Sequence, residues 1–403
     1  MLGFLKRQKK RPVVYKRPEH CISRKNIDPD ALKVLYRLSQ LGYTAYLVGG
    51  GVRDLLMGRT PKDFDVGTSA RPGEVKSAFR NCFLIGRRFR LAHIRFGSKV
   101  IETATFRRDS QTVGEIIEHA AEGPHEDNTF GTPETDAYRR DFTVNGLFYD
   151  IKDFSVIDWV GGMKDLEKKV IRTIGDPEIR FREDPVRMMR AVRFSAKLGF
   201  RIERKTAAAM KKWHSCILSA ATPRVCEEVF RLFPYGHSSE AFRLMYECGM
   251  LGDLLPSLSK FIDESGGKKS PTFRYLDVLD EYEKMMAGKG LEVSNGLRAA
   301  VLLTGMLRAE NRDGAGRRIM QEMHAALKTP KAVYFTGVLL MESIKRLSSP
   351  PAKGKQRFIY NRDFLDALDY NRIVLRAEGR SEGVLNKWAD LYDEKGNENE
   401  PQD

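Results

Sequence analysis

Tyr46-Leu-Val-Gly-Gly-Gly-Val-Arg-Asp-Leu-Leu-Met-Gly-Arg-Thr-Pro-Lys-Asp-Phe-Asp-Val-Gly-Thr-Ser69 is the stretch from which the fold can be read. Ala45 to Val48 has the composition of a short buried strand, and Gly49, Gly50 and Gly51 follow it directly, ahead of a helix predicted to begin at Val52. A bare-backbone turn of this kind leaves amide N–H groups free to face an anion. Further on, Asp63-Phe64-Asp65-Val66 alternates as a strand does, which predicts that Asp63 and Asp65 project from one face and Phe64 and Val66 from the other. Two like charges on one face repel, and such a pair is best tolerated where divalent cations sit between them. A few hard carboxylate oxygens suit Mg²⁺, which keeps water and takes substrate phosphates as its remaining ligands. A cation-holding pair next to a phosphate-cradling turn points to phosphoryl or nucleotidyl transfer by two metal ions. Alone, Gly-Gly is an ordinary turn and Asp-x-Asp an ordinary solvated loop; their order and proximity carry the argument.

Other segments add chemistry. Val100, Glu102, Ala104 and Phe106 are predicted to share one face of a strand, which sets a carboxylate in an otherwise apolar row. An unpaired buried charge is costly, so Glu102 needs either an arginine partner or a place as a third acid of the metal site. Upstream, Leu84 to Ile94 gathers Arg87, Arg88, Phe89 and Arg90, a composition suited to running beside RNA phosphates, with His93 read as a hydrogen-bonded scaffold residue. Residues 109–137 are polar, contain Gly123-Pro124 and Gly131-Thr132-Pro133, and read as a mobile loop. Arg139-Arg140-Asp141 follows, by itself an ordinary surface ion-pair cluster, and leads into an apolar run to Tyr149. In Glu183-Asp-Pro-Val-Arg-Met-Met-Arg-Ala-Val-Arg-Phe194, Asp184 is an N-cap candidate with Pro185 at the first helical position. Asp184, Arg187, Arg190 and Arg193 step by three along a polar stripe, while Met188, Ala191 and Val192 form an apolar patch. Aligned arginines repel unless an acid or anion is present, and a helix face offering Asp acceptors and Arg donors can read the edge of a base.

Gly49-Gly50-x-Val52-Arg53-Asp54, Asp63-x-Asp65, the Arg139 to Asn145 run and the Glu183 to Phe194 run, in that order, resemble the class II nucleotidyltransferases, the family of bacterial poly(A) polymerases and tRNA CCA-adding enzymes. The resemblance covers roughly residues 20 to 260. It implies an α/β nucleotidyltransferase head, a small mixed sheet with helices, followed by all-α neck and body domains. It also implies two Mg²⁺ ions on Asp63 and Asp65, a third catalytic carboxylate from Asp141 or Glu102, and ATP held by Gly49, Gly50 and Arg53. Arg140, Asp184, Arg187 and Arg190 would then position sugar and base, with Arg87, Arg88 and Arg90 against RNA. The segment Leu84 to Ile94 is similar to the signature that separates bacterial poly(A) polymerases from their CCA-adding relatives, so the implied activity is template-independent adenylate addition to RNA 3′ ends, in polyadenylation and decay of RNA. CCA addition to tRNA is the first alternative. Two departures favour it: acidic residues replace the arginine-rich tail of the best-known poly(A) polymerases, and the loop after Arg108 is short. A non-catalytic RNA-binding protein is the second, opposed by the intact Asp63, Asp65 and Asp141. Proteins of RNA decay or RNA-chaperone type would be further partners.

Composition agrees with a nucleic-acid partner. The 403 residues carry a formal net charge of +15, a surplus that favours a polyanion, and 41% are hydrophobic, ordinary for a globular chain of two or three domains. No apolar run approaches the roughly 20 residues that span a bilayer, so no membrane partner is expected. The five cysteines are scattered without metal or disulfide spacing and fit a reducing cytoplasm. The expected organisation is a basic, extended N-terminal arm (1–29), the head (30–160), a helical neck that selects nucleotide and binds RNA (161–260), a helical body (261–392) and an acidic, disordered tail (393–403). Within it Asp28 to Leu41 reads as a helix capped by Asp30, Pro72 to Asn81 as another, and helices are predicted near 221–233, 238–250, 272–287, 293–310, 317–328, 331–347 and 361–393.

Overall fold

The computed structural model describes residues 11–86, 90–108, 130–310, 312–352 and 356–397. Lys6, Arg7, Lys9 and Lys10 of the basic arm, Arg87, Arg88 and Phe89, and residues 109–129 lie outside the described residues. The chain divides into two compact units, Met1–Pro177 and Glu178–Asp403.

In the first unit eight of the described strands form one sheet, and the two-residue strand Val170–Ile171 stands outside it. In chain order the eight are β1 (Val13–Tyr15), β2 (Ala45–Val48), β3 (Asp65–Thr68), β4 (Cys82–Ile85), β5 (Leu91–Phe96), β6 (Lys99–Thr105), β7 (Leu147–Tyr149) and β8 (Val156–Asp158). Their spatial order is β1-β8-β7-β2-β3-β6-β5-β4. Neighbours pair antiparallel except β3 and β6, which run parallel with Val66 opposite Thr103. A parallel pair needs a long crossover, supplied by helix α3 (Pro72–Ala78) and the β4–β5 hairpin. Helix α1 (Pro29–Gln40) buries Ala31, Val34, Leu35 and Leu38 in a core with Leu47, Val66, Ile94 and Ile101. The remaining helices of this unit are α2 (Gly50–Leu56), α4 (Pro133–Arg139) and α5 (Gly162–Glu167).

Several expectations change here. Asp28, not Asp30, caps α1, its Oδ1 accepting from the Asp30 N–H at 2.8 Å. The basic lead is partly structural: Val13–Tyr15 pairs with β8, and Ile22 and Ile27 enter the core. Residues 133–137 are helix rather than loop, because Thr132 is an N-cap, accepting from the Thr135 N–H, with Pro133 at the first position. Strand β3 starts at Asp65, which leaves Asp63 in the preceding loop.

The second unit is helical: α6 (Pro177–Glu183), α7 (Val186–Leu198), α8 (Arg204–Trp213), α9 (Thr222–Phe230), α10 (Ser238–Glu247), α11 (Met250–Leu254), α12 (Pro256–Glu264), α13 (Pro271–Gly288), α14 (Asn295–Glu310), α15 (Ala315–Leu327), α16 (Lys331–Leu347), α17 (Phe364–Ala377) and α18 (Gly383–Asn397). The single helix expected over 361–393 is two, because Gly379 adopts a φ of 67° that ends α17. Helix α18 continues through Asp393 into what composition reads as a disordered tail. Asp184 does not cap α7: Pro185 is the N-cap residue and no side-chain cap bond forms.

One buried carboxylate ties the β7–β8 edge to the rest of the first unit. Asp158, 3% exposed, accepts four backbone N–H bonds, from Val160, Gly161 and Gly162 to Oδ1 and from Met163 to Oδ2, at 2.8–3.0 Å. The start of α5 is thereby pressed against the turn at Thr143, where a Cβ on Gly162 would lie 2.2 Å from the Thr143 carbonyl oxygen. Asp158→Ala is expected to cost on the order of 2–4 kcal/mol, because several buried N–H groups lose their acceptor at once. Urea unfolding checks this, and Asp158→Asn should recover part of the loss. A loss below about 0.5 kcal/mol would show that water replaces the carboxylate without cost.

Candidate active site

Val66 of β3 pairs with Thr103 of β6, which brings Asp65, the first residue of β3, near Glu102 in the middle of β6. Asp63, two residues earlier, joins them in lining a cleft of about 960 Å³. Their mutual influence is visible at Asp65. Burial pushes its carboxyl up to about 6 from 3.8, Glu102 and Asp63 add to the rise, and Arg140 opposes it. Glu102 is therefore not the apolar-row residue that alternation suggests. Its side chain is 50% exposed, 3.7 Å from His93 Nε2, while Ile101, Thr103 and Thr105 form the buried row. Of the two candidates for a third acid, the structure sets Glu102 next to Asp65. Asp141 Oδ1 instead accepts from the Phe142 N–H at 2.7 Å and from Asn145 Nδ2 at 3.1 Å.

The glycine turn is built as expected, with the helix starting two residues earlier. Gly49 is the N-cap of α2 with φ 73° and ψ −136°, and no side chain caps the first amides. A Cβ on Gly49 would lie 2.9 Å from Arg140 Nη1, so the turn and this guanidinium meet only because residue 49 lacks a side chain. Since α2 spans seven residues, its dipole is short, and side-chain cations supply the positive potential.

Arg53 is held differently from Arg140. It is buried, with Nε on Asp54 Oδ1 at 2.8 Å and Nη1 on Asn145 Oδ1 at 2.6 Å, which makes it a strut between α2 and the 143–145 turn. Arg140 reaches Asp136 Oδ2 through Nε at 3.2 Å and Nη2 at 2.9 Å, and lies over the Phe148 ring at 5.1 Å. Asp136 also takes Arg139 Nε at 2.8 Å. Burial alone would raise the Asp136 carboxyl, but the Arg140 and Arg139 guanidiniums outweigh it and hold the acid below its usual range. Asp136 lies outside the motifs read from the sequence, and Asn145 ends one of them with no role assigned to it. The Thr132-Pro133 helix start was the available signal for the first; for the second, only the fold shows that it joins Arg53 to Asp141. Arg90 is exposed just before β5.

The donor set suits a hard divalent cation. Carboxylate oxygens from Asp63, Asp65 and Glu102 repel one another on an open cleft and have Arg140 as opposing charge. Among the described residues no group of three His, Cys, Asp or Glu side chains is placed to hold a metal ion.

In the second unit, considered by itself, the α7 stripe has the acids that its arginines require. Arg193 Nε lies 3.1 Å and Arg190 Nη1 4.0 Å from the buried Glu228, and Arg187 Nη1 lies 3.5 Å from Glu183. Asp184 Oδ2 accepts from Arg224 Nη2 at 3.1 Å, while its Oδ1 is buried without a hydrogen-bond partner.

A mixed sheet that gathers acids from two neighbouring parallel strands and the loop before one of them, beside a glycine turn and a fixed arginine, is the arrangement of a nucleotidyltransferase head. The comparisons agree: residues 45–172 match the poly A polymerase head domain, and residues 199–262 match the segment described as the probable RNA and SrmB-binding site of polymerase A. The chain is 48% identical over 270 residues to poly(A) polymerase I of Escherichia coli, 66% of this chain and 57% of that one. It is 34% identical to the CCA-adding enzyme of Lactobacillus helveticus over 66% of this chain and 61% of the relative. The crystal structure of the Bacillus stearothermophilus CCA-adding enzyme in complex with CTP superposes with a TM-score of 0.70 at 26% identity, covering 91% of this chain and 83% of that one. This chain belongs to the nucleotidyltransferase family of poly(A) polymerases and CCA-adding enzymes. It spans somewhat more than half the length of the curated relatives it matches.

The raised Asp65 carboxyl has a thermodynamic sign. Between about pH 4 and pH 6 the folded chain keeps a proton that the unfolded chain has lost, so stability falls as pH rises through that window. Asp65→Asn is therefore expected to stabilise the metal-free protein near pH 7.5, by at most about 3 kcal/mol, and to lose that advantage near pH 4. Urea midpoints in chelator at the two pH values test it. An equal effect at both would mean that Asp65 titrates at an ordinary value.

Proposed function

We propose that this chain adds adenylate residues from ATP to the 3′ hydroxyl of RNA without a template. The observation that carries the reading is the meeting of Asp63, Asp65 and Glu102 on one cleft, with Asp65 flanked by Arg140 and the Gly49 turn. Poly(A) polymerase I relatives at 41–49% identity support adenylate as the transferred group. CCA addition is the second reading, favoured by the extent of the superposition on the CCA-adding enzyme with CTP.

In this reading Asp63, Asp65 and Glu102 would hold two Mg²⁺ ions, which when bound supply Lewis-acid stabilisation of the attacking and leaving oxygens. A bond forms between the RNA O3′ and the α-phosphorus of ATP, and the bond to the bridging oxygen breaks, releasing pyrophosphate. Arg140, aimed by Asp136 and Phe148, faces the triphosphate together with the amides of Gly49 and Gly50. Arg53 and Asn145 keep that turn in place, and Asp141 acts through Asn145 as a positioning residue. Asp184, Arg187 and Arg190 are assigned the base, since a guanidinium fixed by Glu183 offers donors of constant direction. RNA recognition extends to Arg90, with Arg87 and Arg88 beside it in sequence. The five cysteines, all free, support a reducing cytoplasm, where proteins of RNA decay would be partners.

Purified protein, Mg²⁺, an unstructured RNA and each nucleotide in turn provide the test. ATP alone is expected to yield tails well beyond three residues, with CTP a poor substrate. Ordered CTP then ATP incorporation, confined to tRNA, would establish the CCA reading instead. Asp65→Asn and Glu102→Gln should each lower the rate by on the order of 10³-fold, roughly 4 kcal/mol of transition-state stabilisation, whereas Asp141→Asn should cost less. Retention of a tenth of the wild-type rate by the Asp65 variant would remove it from the metal site.

A further inference from the structure

The curated relatives match about two thirds of the chain, and the matched family segments end at residue 262. Beyond that point one surface combines features that lie elsewhere apart. The short turn Gln356–Tyr360 sits between α16 and α17, with Tyr360 at the shared wall of two adjoining clefts, of about 740 and 290 Å³. The Tyr360 side chain is 65% exposed. The rings that line the clefts with it are packed on one another: the buried Phe358 lies edge-on to the buried Phe364 at 5.7 Å, and Phe364 stacks on Tyr392 at 5.3 Å.

Cations flank this ring on both sides. Lys345, whose ammonium pairs with Asp313, lines one cleft with Arg346, Arg357 and one acid, Glu342, which pairs with Arg317 at 3.8 Å. Arg362, which pairs with Asp363 at 3.4 Å, and Lys395 line the other. Arg346 lies over the Phe358 ring at 4.6 Å, and neither it nor Arg357 has a carboxylate partner among the described residues. Arginines set against aromatic faces keep their planes fixed and their outer N–H groups directed outward. An exposed aromatic ring on a rigid base, bordered by unneutralised guanidiniums, is the chemistry that stacks a nucleobase and tracks the phosphates on either side. An acidic peptide would satisfy the arginines but leave the ring without a stacking partner.

We propose that Tyr360, Arg346 and Arg357 form a single-stranded RNA subsite on the C-terminal body, with a base stacked on Tyr360 and neighbouring phosphates held by the two arginines. The choice of RNA rests on the activity proposed above; the stacking and anion chemistry of the surface does not. The subsite would retain a lengthening strand independently of its 3′ end, and it reads no sequence, since every base has a face to stack.

The test uses the full chain, a fluorescein-labelled twenty-nucleotide oligo(A), the same length of duplex RNA and a polyglutamate peptide. Tyr360→Ala is expected to weaken oligo(A) binding by about five- to a hundredfold, Tyr360→Phe to leave it unchanged, and duplex binding to be insensitive to both. Arg346→Gln with Arg357→Gln should reduce the log–log salt slope by about 0.7 for each phosphate contact removed. Oligo(A) affinity unaltered by Tyr360→Ala, or polyglutamate bound with the same dependence on Tyr360, would overturn the inference. Adenylate transfer is measured on the same preparations. Transfer by a protein whose RNA affinity ignores Tyr360 sinks the subsite alone, and no transfer by a protein whose oligo(A) binding depends on Tyr360 sinks the proposed activity alone.

Discussion

Repulsion between carboxylates held side by side is the constraint around which the first unit is arranged. Asp65 and Glu102 come from different parts of the chain and are brought together by the one parallel pairing in the sheet. Burial, and after it the charge of Glu102, pushes the Asp65 carboxyl up, so folding alone does not favour an ionised acid there. The cost is offset elsewhere, by the apolar contacts of α1 with the sheet and by the antiparallel partners on either side of β3 and β6. A strained charge cluster on a stable scaffold is what a site needs if it is to gain binding energy from incoming cations and phosphates.

The surrounding cations divide into two kinds. Arg53 is closed off by Asp54 and Asn145, and so stabilises geometry. Arg140 is anchored along one edge by Asp136 and lies against the Gly49 backbone, so its charge is directed without being fully neutralised. An arginine already fixed before a ligand arrives loses less side-chain freedom on binding. Asp158 and α5 stand behind both, since they press on the turn that carries Asn145.

The same physical division recurs in the helical unit. Glu228 on α9 absorbs the charge of Arg190 and Arg193 on the largely buried α7 and of Arg231 at the end of α9. Around Tyr360, Arg362 and Lys345 pair with Asp363 and Asp313, whereas Arg346 and Arg357 have no carboxylate partner among the described residues. Local balance of charge, more than the total of +15, separates structural arginines from those available to a polyanion.

What the sequence determined by itself was local. Period and turn chemistry placed β2, α2 and most of the later helices, and the glycine turn with its two aspartates announced phosphate and cation chemistry, because these depend on neighbours within a few residues. Where reading failed, competing local signals were overlooked, as at the Thr132-Pro133 cap and the Gly379 break, or alternation was extended past a strand end, as at Asp63. Only the tertiary structure set Glu102 beside Asp65 and bonded Asp141 to Asn145, tied Arg53 to Asp54 and Asn145, and supplied Asp136, Asn145 and Glu228 as partners. Those outcomes depend on which strands lie parallel and which loops meet, and contacts between residues distant in the chain leave no periodic trace along it.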